Sequence, residues 1–221
     1  MTTKLELAAD LDDRISAASV SGFWKATTKD RWLNQAGQRV CDWYAWTFLQ
    51  LALTIESASS REYYDYPSGE LGFKENSIYN IIVEDEDYPA QQNGRERVTW
   101  DEFQQDKQQD ASRLIFTNHN GFYFLHPIPE NGKQISLWGI KKWQTLVGDD
   151  DEAITPSGLD ESIVRIALAS CLRKAKKYSE AKAELVEVLD PQVGTLALYR
   201  DQMESHGPSG YGGRAHSSRF N

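Results

Sequence analysis

Apolar residues recur at helical spacing towards both ends of this 221-residue chain and alternate with polar ones in between. Leu7, Leu11, Ile15 and Ala18 follow a Thr3–Glu6 capping-box start and predict a first helix. Thr27 and Asp30 mark a second start. After them Leu33, Ala36, Val40, Trp43, Phe48 and Leu51 predict an amphipathic helix about six turns long. Trp32, Trp43 and Trp46 fall together on that helix, where such spacing reads as core rather than as a stacking platform. The period changes from about Thr54. Ile78–Val83 is a β-rich run ending in the acidic stop Glu84–Asp87, and 134–138 alternates and leads into a β-capable stretch to Val147. Leu114–Thr117 and Phe122–Leu125 flank Asn118-His119-Asn120-Gly121, a hairpin signal because Asn and Gly tolerate positive φ. Pro127 and Pro129 forbid a central strand after it, and polar Thr99–Gln109 predicts one short helix.

The helical period returns after Gly148–Glu152. Ser157 or Asp160 caps a segment whose apolar stripe, Ile163, Val164, Ile166, Ala167, Leu168 and Cys171, is broad enough for more than one packing neighbour. Arg173, Lys174, Lys176 and Lys177 crowd its end, where cations suit the helix dipole. Ser179 restarts a helix that Asp190-Pro191 closes, and Val193, Leu196, Tyr199 and Met203 continue the period. The stretch 205–221 is rich in Gly and Ser and shows no period, so it is expected to lack structure alone. The expected fold class is mixed α+β. Residues 1–54 and 155–204 form a discontinuous helical bundle, 55–154 a β-rich insertion, and 205–221 a flexible C-terminal tail.

Composition narrows the function classes. The formal charge of -9 argues against a surface that grips phosphate backbones. No run approaches the ~20 apolar residues that span a bilayer, and the first residues lack the pattern of a secretory signal. Two cysteines, Cys41 and Cys171, cannot build a disulfide framework and read as small core residues. There is no phosphate-binding loop, no paired-cysteine zinc spacing and no glycine-framed nucleophilic serine. His119 and His126 read as exposed turn histidines. The acidic runs Glu84–Asp87 and Asp149–Glu152 lack the alternation and turn glycine of a calcium loop. The expectation is therefore a protein that is not an enzyme, with no catalytic, metal or cofactor residues and no cofactor.

Two resemblances add to this. Ala167-x3-Cys171, Tyr178-Ser179-Glu180-Ala181 and Leu185-x3-Leu189-Asp190-Pro191 look like part of a tetratricopeptide repeat, but no second copy follows at a period of about 34 residues. The second resemblance spans about 30–205. Leu33-Asn34-Gln35-Ala36, Val40-Cys41, Trp43 and Trp46-x-Phe48-Leu49 are similar to the first long helix of tailed-bacteriophage head–tail adaptor (connector, or head completion) proteins. Tyr64-Asp65-Tyr66-Pro67, Leu125-His126-Pro127-Ile128-Pro129 and Thr155-Pro156 before the helix pair follow in the family's order, with Tyr66 standing where members commonly carry Leu. The resemblance implies a virion structural protein at the head–tail junction, present in the host cytoplasm during assembly. It would form a ring with itself, commonly twelve-fold in the family, beneath the portal protein, extend the DNA channel, and offer the next neck or tail protein a platform. DNA would pass without specific binding, and no membrane is involved. In the family the C-terminal segment docks on the portal, so Tyr211 and Phe220 are expected as apolar anchors and Arg214 and Arg219 as donors. The alternatives are a peptide-binding helical module on the Tyr178–Pro191 hairpin, or a metal-assisted hydrolase using His119, His126 and an acidic loop.

Overall fold

The computed structural model describes residues 2–18, 24–58, 61–67, 72–74, 76–84, 94–109 and 113–206. Helix α1 (Lys4–Ala17) begins as its capping box dictates: the Thr3 hydroxyl accepts from the Glu6 amide, and the Glu6 carboxylate accepts from the Thr3 amide at 2.8 Å. Its buried face is Leu7, Leu11 and Ile15. Helix α2 (Ala26–Trp43) buries Leu33, Ala36, Gly37, Val40 and Cys41. It stops at Trp43 rather than running on to Leu51, so Trp46 is not on the helix. The chain turns back there, and Trp46 lies fully buried with its indole N–H donating to the Val40 carbonyl at 2.8 Å.

Strand β1 (Gln50–Glu56) emerges directly from this turn, followed by β2 (Tyr63–Asp65), β3 (Asn80–Val83) and β4 (Glu96–Arg97). Helix α3 (Trp100–Gln109), β5 (Ile115–His119), β6 (Phe122–His126) and β7 (Gln134–Ile140) complete the middle. Two sheets form, in orders β1-β7-β3 and β2-β6-β5-β4. The β5–β6 hairpin closes on Asn120 (φ 49°) and Gly121 (φ 79°), the two left-handed positions a tight primed turn requires. Leu51, Leu53, Ile55, Ile81, Ile135 and Leu137 of the first sheet face Tyr64, Phe116, Tyr123 and Leu125 of the second across one apolar layer. On the second sheet's other face Phe103 of α3 packs on Ile115 and Phe124, so β5 is covered on both sides.

Helices α4 (Asp160–Lys174), α5 (Tyr178–Leu189) and α6 (Thr195–His206) close the described chain. The break between α4 and α5 sits at Lys176, which takes φ 62°. The Asp190 carboxylate accepts from the Gln192 and Val193 amides and turns the chain into α6.

The expected architecture, a bundle of N- and C-terminal helices with a β-rich insertion, is corrected here. The described residues form a mixed α/β protein with six helices and two sheets, and the β-rich middle does not fit such a bundle. The middle owns a sandwich core and a helix. The terminal helices do not complete their own core either, because Trp46, Leu49, Trp143, Leu146 and Ala153 supply part of it. The physical reason is packing: α1, α2 and α4 leave apolar surface that the chain fills with aromatic residues from the ends of β1 and β7. Gly37 marks the tightness, since a Cβ there would lie 2.3 Å from the Trp143 ring. The tail of that expectation, from residue 207 onward, lies outside the described residues.

Candidate functional site

The residues singled out for metal chemistry do not converge. Strand register sets His126 opposite Ile115 while His119 faces Phe122. Four residues of strand therefore separate the two positions, about 13 Å along the hairpin. His119 stacks on Trp100 with ring centroids 4.2 Å apart, and His126 lies 6.3 Å from the Phe103 ring. Among the described residues no group of three or more His, Cys, Asp and Glu is placed to hold a metal ion. Burial pushes the Cys41 thiol up to about 12 and raises Cys171 as well, so neither is a ready nucleophile. The predicted tail contacts, Tyr211, Arg214, Arg219 and Phe220, lie outside the described residues, as do Asp85–Asp87 of the first acidic run.

Two polar-walled clefts among the described residues border predicted features, the start of α3 and the second acidic run. One, of about 310 Å³, is lined by Arg97, Thr99, Trp100, Glu102, Thr117 and Asn118. Its helix start is already served, because Thr99 and Glu102 form the capping box of α3. The other, of about 510 Å³, is lined by Phe48, Lys141, Gln144, Asp150, Asp151 and Glu152. It holds three carboxylates against one cation.

The corner around that second acidic run is built from three directions. The Asp151 carboxylate accepts from the Val147 and Gly148 amides at 2.6 and 2.8 Å, which folds the loop back on itself and holds the acid below its usual range. The loop is then sewn to α1: the Lys4 amide donates to the Asp151 carbonyl, and the Leu5 amide to the Asp149 carbonyl. Lys4, only 7% exposed, reaches the Val147 carbonyl at 2.8 Å and pairs with Asp149 at 3.1 Å and Asp30 of α2 at 3.5 Å. Thr2 donates to Asp160, the first residue of α4, and the remaining Asp160 oxygen is buried without a hydrogen-bond partner. Burial pushes Asp160 up.

What this scaffold presents outward is apolar side chains among acids. Val147 is 76% exposed and Leu5 57%, beside exposed Asp149, Asp150 and Glu152. The sequence reading found the acidic run but missed its apolar component, which Leu5 and Val147 create only when α1 and the loop meet. An apolar residue directly before Gly148 and the acidic run was the one available signal.

The helical hairpin resembling a tetratricopeptide repeat is present as α4 and α5, clamped by Arg165 to Glu161, Glu184 and Glu187. Tyr178, the aromatic of the repeat-like signature, is 66% exposed and has no further repeat to pack against among the described residues. No helix among the described residues is long and apolar enough to cross a membrane. Comparison with known protein families finds no match, and neither does comparison with curated proteins.

Proposed function

We propose that this protein is a head–tail adaptor of a tailed bacteriophage, a virion structural protein that forms a ring below the portal, extends the DNA channel and provides the platform for the tail. The observation that carries the reading is that the first and last segments bearing the resemblance meet in one core. Leu33, Ala36, Val40 and Trp46 from its first part pack with Leu159, Ile163, Ala167 and Cys171 from its last. The Tyr64–Pro67 and Leu125–Pro129 segments between them belong to neighbouring strands β2 and β6 of one sheet, with Tyr64 opposite Tyr123. The outer motifs along about 30–205 thus share one core and the inner ones the other, in the order the resemblance implies.

Mixing the purified chain with its cognate portal and imaging the product tests this. A ring decorating the portal is expected, and no ring under any assembly condition overturns the reading. Deleting 205–221, which carries Tyr211, Arg214, Arg219 and Phe220, is expected to abolish portal binding while leaving thermal stability unchanged. A groove-binding module would keep its partner after the same deletion.

A further inference from the structure

The corner formed by Leu5, Val147, Asp149 and Asp150 has a counterpart of opposite charge on the same chain. The last turn of α4 and the turn into α5 expose Arg173, Lys174 and Lys176, and beside them Tyr178 is 66% exposed. Each corner therefore combines exposed apolar surface with charge predominantly of one sign, negative at the first, where Lys141 is the cation beside Asp150–Glu152, and positive at the second, where Glu180 is already paired with Lys177. The first is anchored at the start of α4 through the Thr2–Asp160 contact, and the second is its other end. Fifteen residues of α4 hold the two apart by about 22 Å, so they cannot meet within one molecule.

We propose that the acidic corner, Leu5, Val147, Asp149 and Asp150, docks on the basic corner, Arg173, Lys174, Lys176 and Tyr178, of a second copy of this chain. Two different patches in mutual contact make a head-to-tail interface, which repeats from copy to copy and closes as a ring when the rotation between copies divides a full turn. Charge complementarity commits the occupant. Surrounded by like charge, neither corner pairs with itself, whereas each offers the other apolar area and opposite sign. Tyr178 supplies the aromatic anchor typical of such contacts. The loop side needs little ordering on binding, because Asp151 and Lys4 already hold its backbone. The proposal rests on the adaptor reading for the ring it would close, although the contact itself needs no portal.

The test is a disulfide ladder. The full chain carrying Thr145→Cys and Ser179→Cys, exposed neighbours that leave Val147 and Tyr178 in place, is oxidised at high protein concentration, alone and with the portal, and run without reductant. The native thiols Cys41 and Cys171 are buried and do not compete. A ladder extending beyond the dimer is expected from the double variant, and no dimer from either single variant. Adding Lys174→Glu and Lys176→Glu is expected to lower ladder yield at least about tenfold, and further adding Asp150→Lys and Glu152→Lys to restore it. That restoration also establishes that the charge-reversed chain folds. Absence of a ladder in both settings overturns the proposal, as does a ladder indifferent to charge reversal. Dimers from a single variant, or binding of added duplex DNA to the basic corner in place of self-association, overturn it equally. A ladder without portal decoration removes the adaptor reading and leaves the contact; decoration without a ladder does the reverse.

Discussion

At the scale of single residues, packing and backbone conformation make different demands on the glycines. At Gly37 the space is filled, since an added Cβ would meet the Trp143 ring at 2.3 Å. Gly37→Ala is expected to cost about 1–3 kcal/mol through overpacking. At Gly121 nothing lies within 4 Å of an added Cβ, and only the φ of 79° opposes one. Gly121→Ala is expected to cost about 1–2 kcal/mol, the strain of a left-handed residue alone. Comparing melting temperatures checks both, and removing the ring with Trp143→Ala should relieve the first penalty but not the second. Trp46 is the heavier case: it is fully buried, stacked between Trp43 and Phe48 at 5.9 and 5.7 Å, and its N–H is satisfied. Trp46→Ala is expected to destabilise by about 3–5 kcal/mol in denaturant titration. Cys41 and Cys171, buried and with raised pKa, are expected to resist thiol reagents at pH 8 and to label only as the protein unfolds.

At the scale of elements, acids at turns and helix starts set the response to pH. Glu6 and Glu102 sit below their ordinary value of 4.5 because each accepts hydrogen bonds from a capping Thr. Asp151 and Asp190 sit below 3.8 because each accepts two backbone amides. A lowered folded pKa means that ionisation favours the folded state, so this stabilisation is complete above about pH 5 and is lost as pH falls through the lowered values. Asp160 works the other way. Its pKa is raised by burial, so its ionisation opposes folding, and protonating it on acidification recovers stability. Asp160→Asn is therefore expected to raise stability near pH 7 and to steepen the loss towards pH 3, as read by denaturation across that range. Thr3→Ala and Thr99→Ala are expected to cost about 1 kcal/mol each and to flatten the acid limb.

At the scale of the whole molecule, net charge and surface geometry decide what approaches it. With 33 acids against 24 basic residues the chain is expected not to retain duplex DNA at about 150 mM salt, which gel-shift measurement checks. The Arg and Lys side chains at the end of α4 do not contradict this, since they form one small corner of an acidic molecule. A conduit for DNA needs such indifference, and a ring subunit needs two complementary faces. The acidic balance and the opposed corners are consistent with both requirements.

Local signals were legible wherever a feature is made by neighbours in sequence. The Thr3–Glu6 cap, the Asn120-Gly121 turn, the α3 segment and the Asp190 closure each depend on hydrogen bonds or φ values within a few residues. The reading of one helix through to Leu51 failed because apolar spacing alone does not show where a backbone turns. Trp43 ends α2, and Leu51 belongs to a strand paired with Gly139. The composition, the caps and the turns were determined by the sequence itself, since propensity and short-range bonding suffice for them. Tertiary structure decided how the cores divide, which strands pair, and that Leu5 joins Val147 at one end of α4 while Tyr178 stands at the other. Those outcomes turn on shape complementarity between residues from tens to more than a hundred positions apart, which no local pattern encodes.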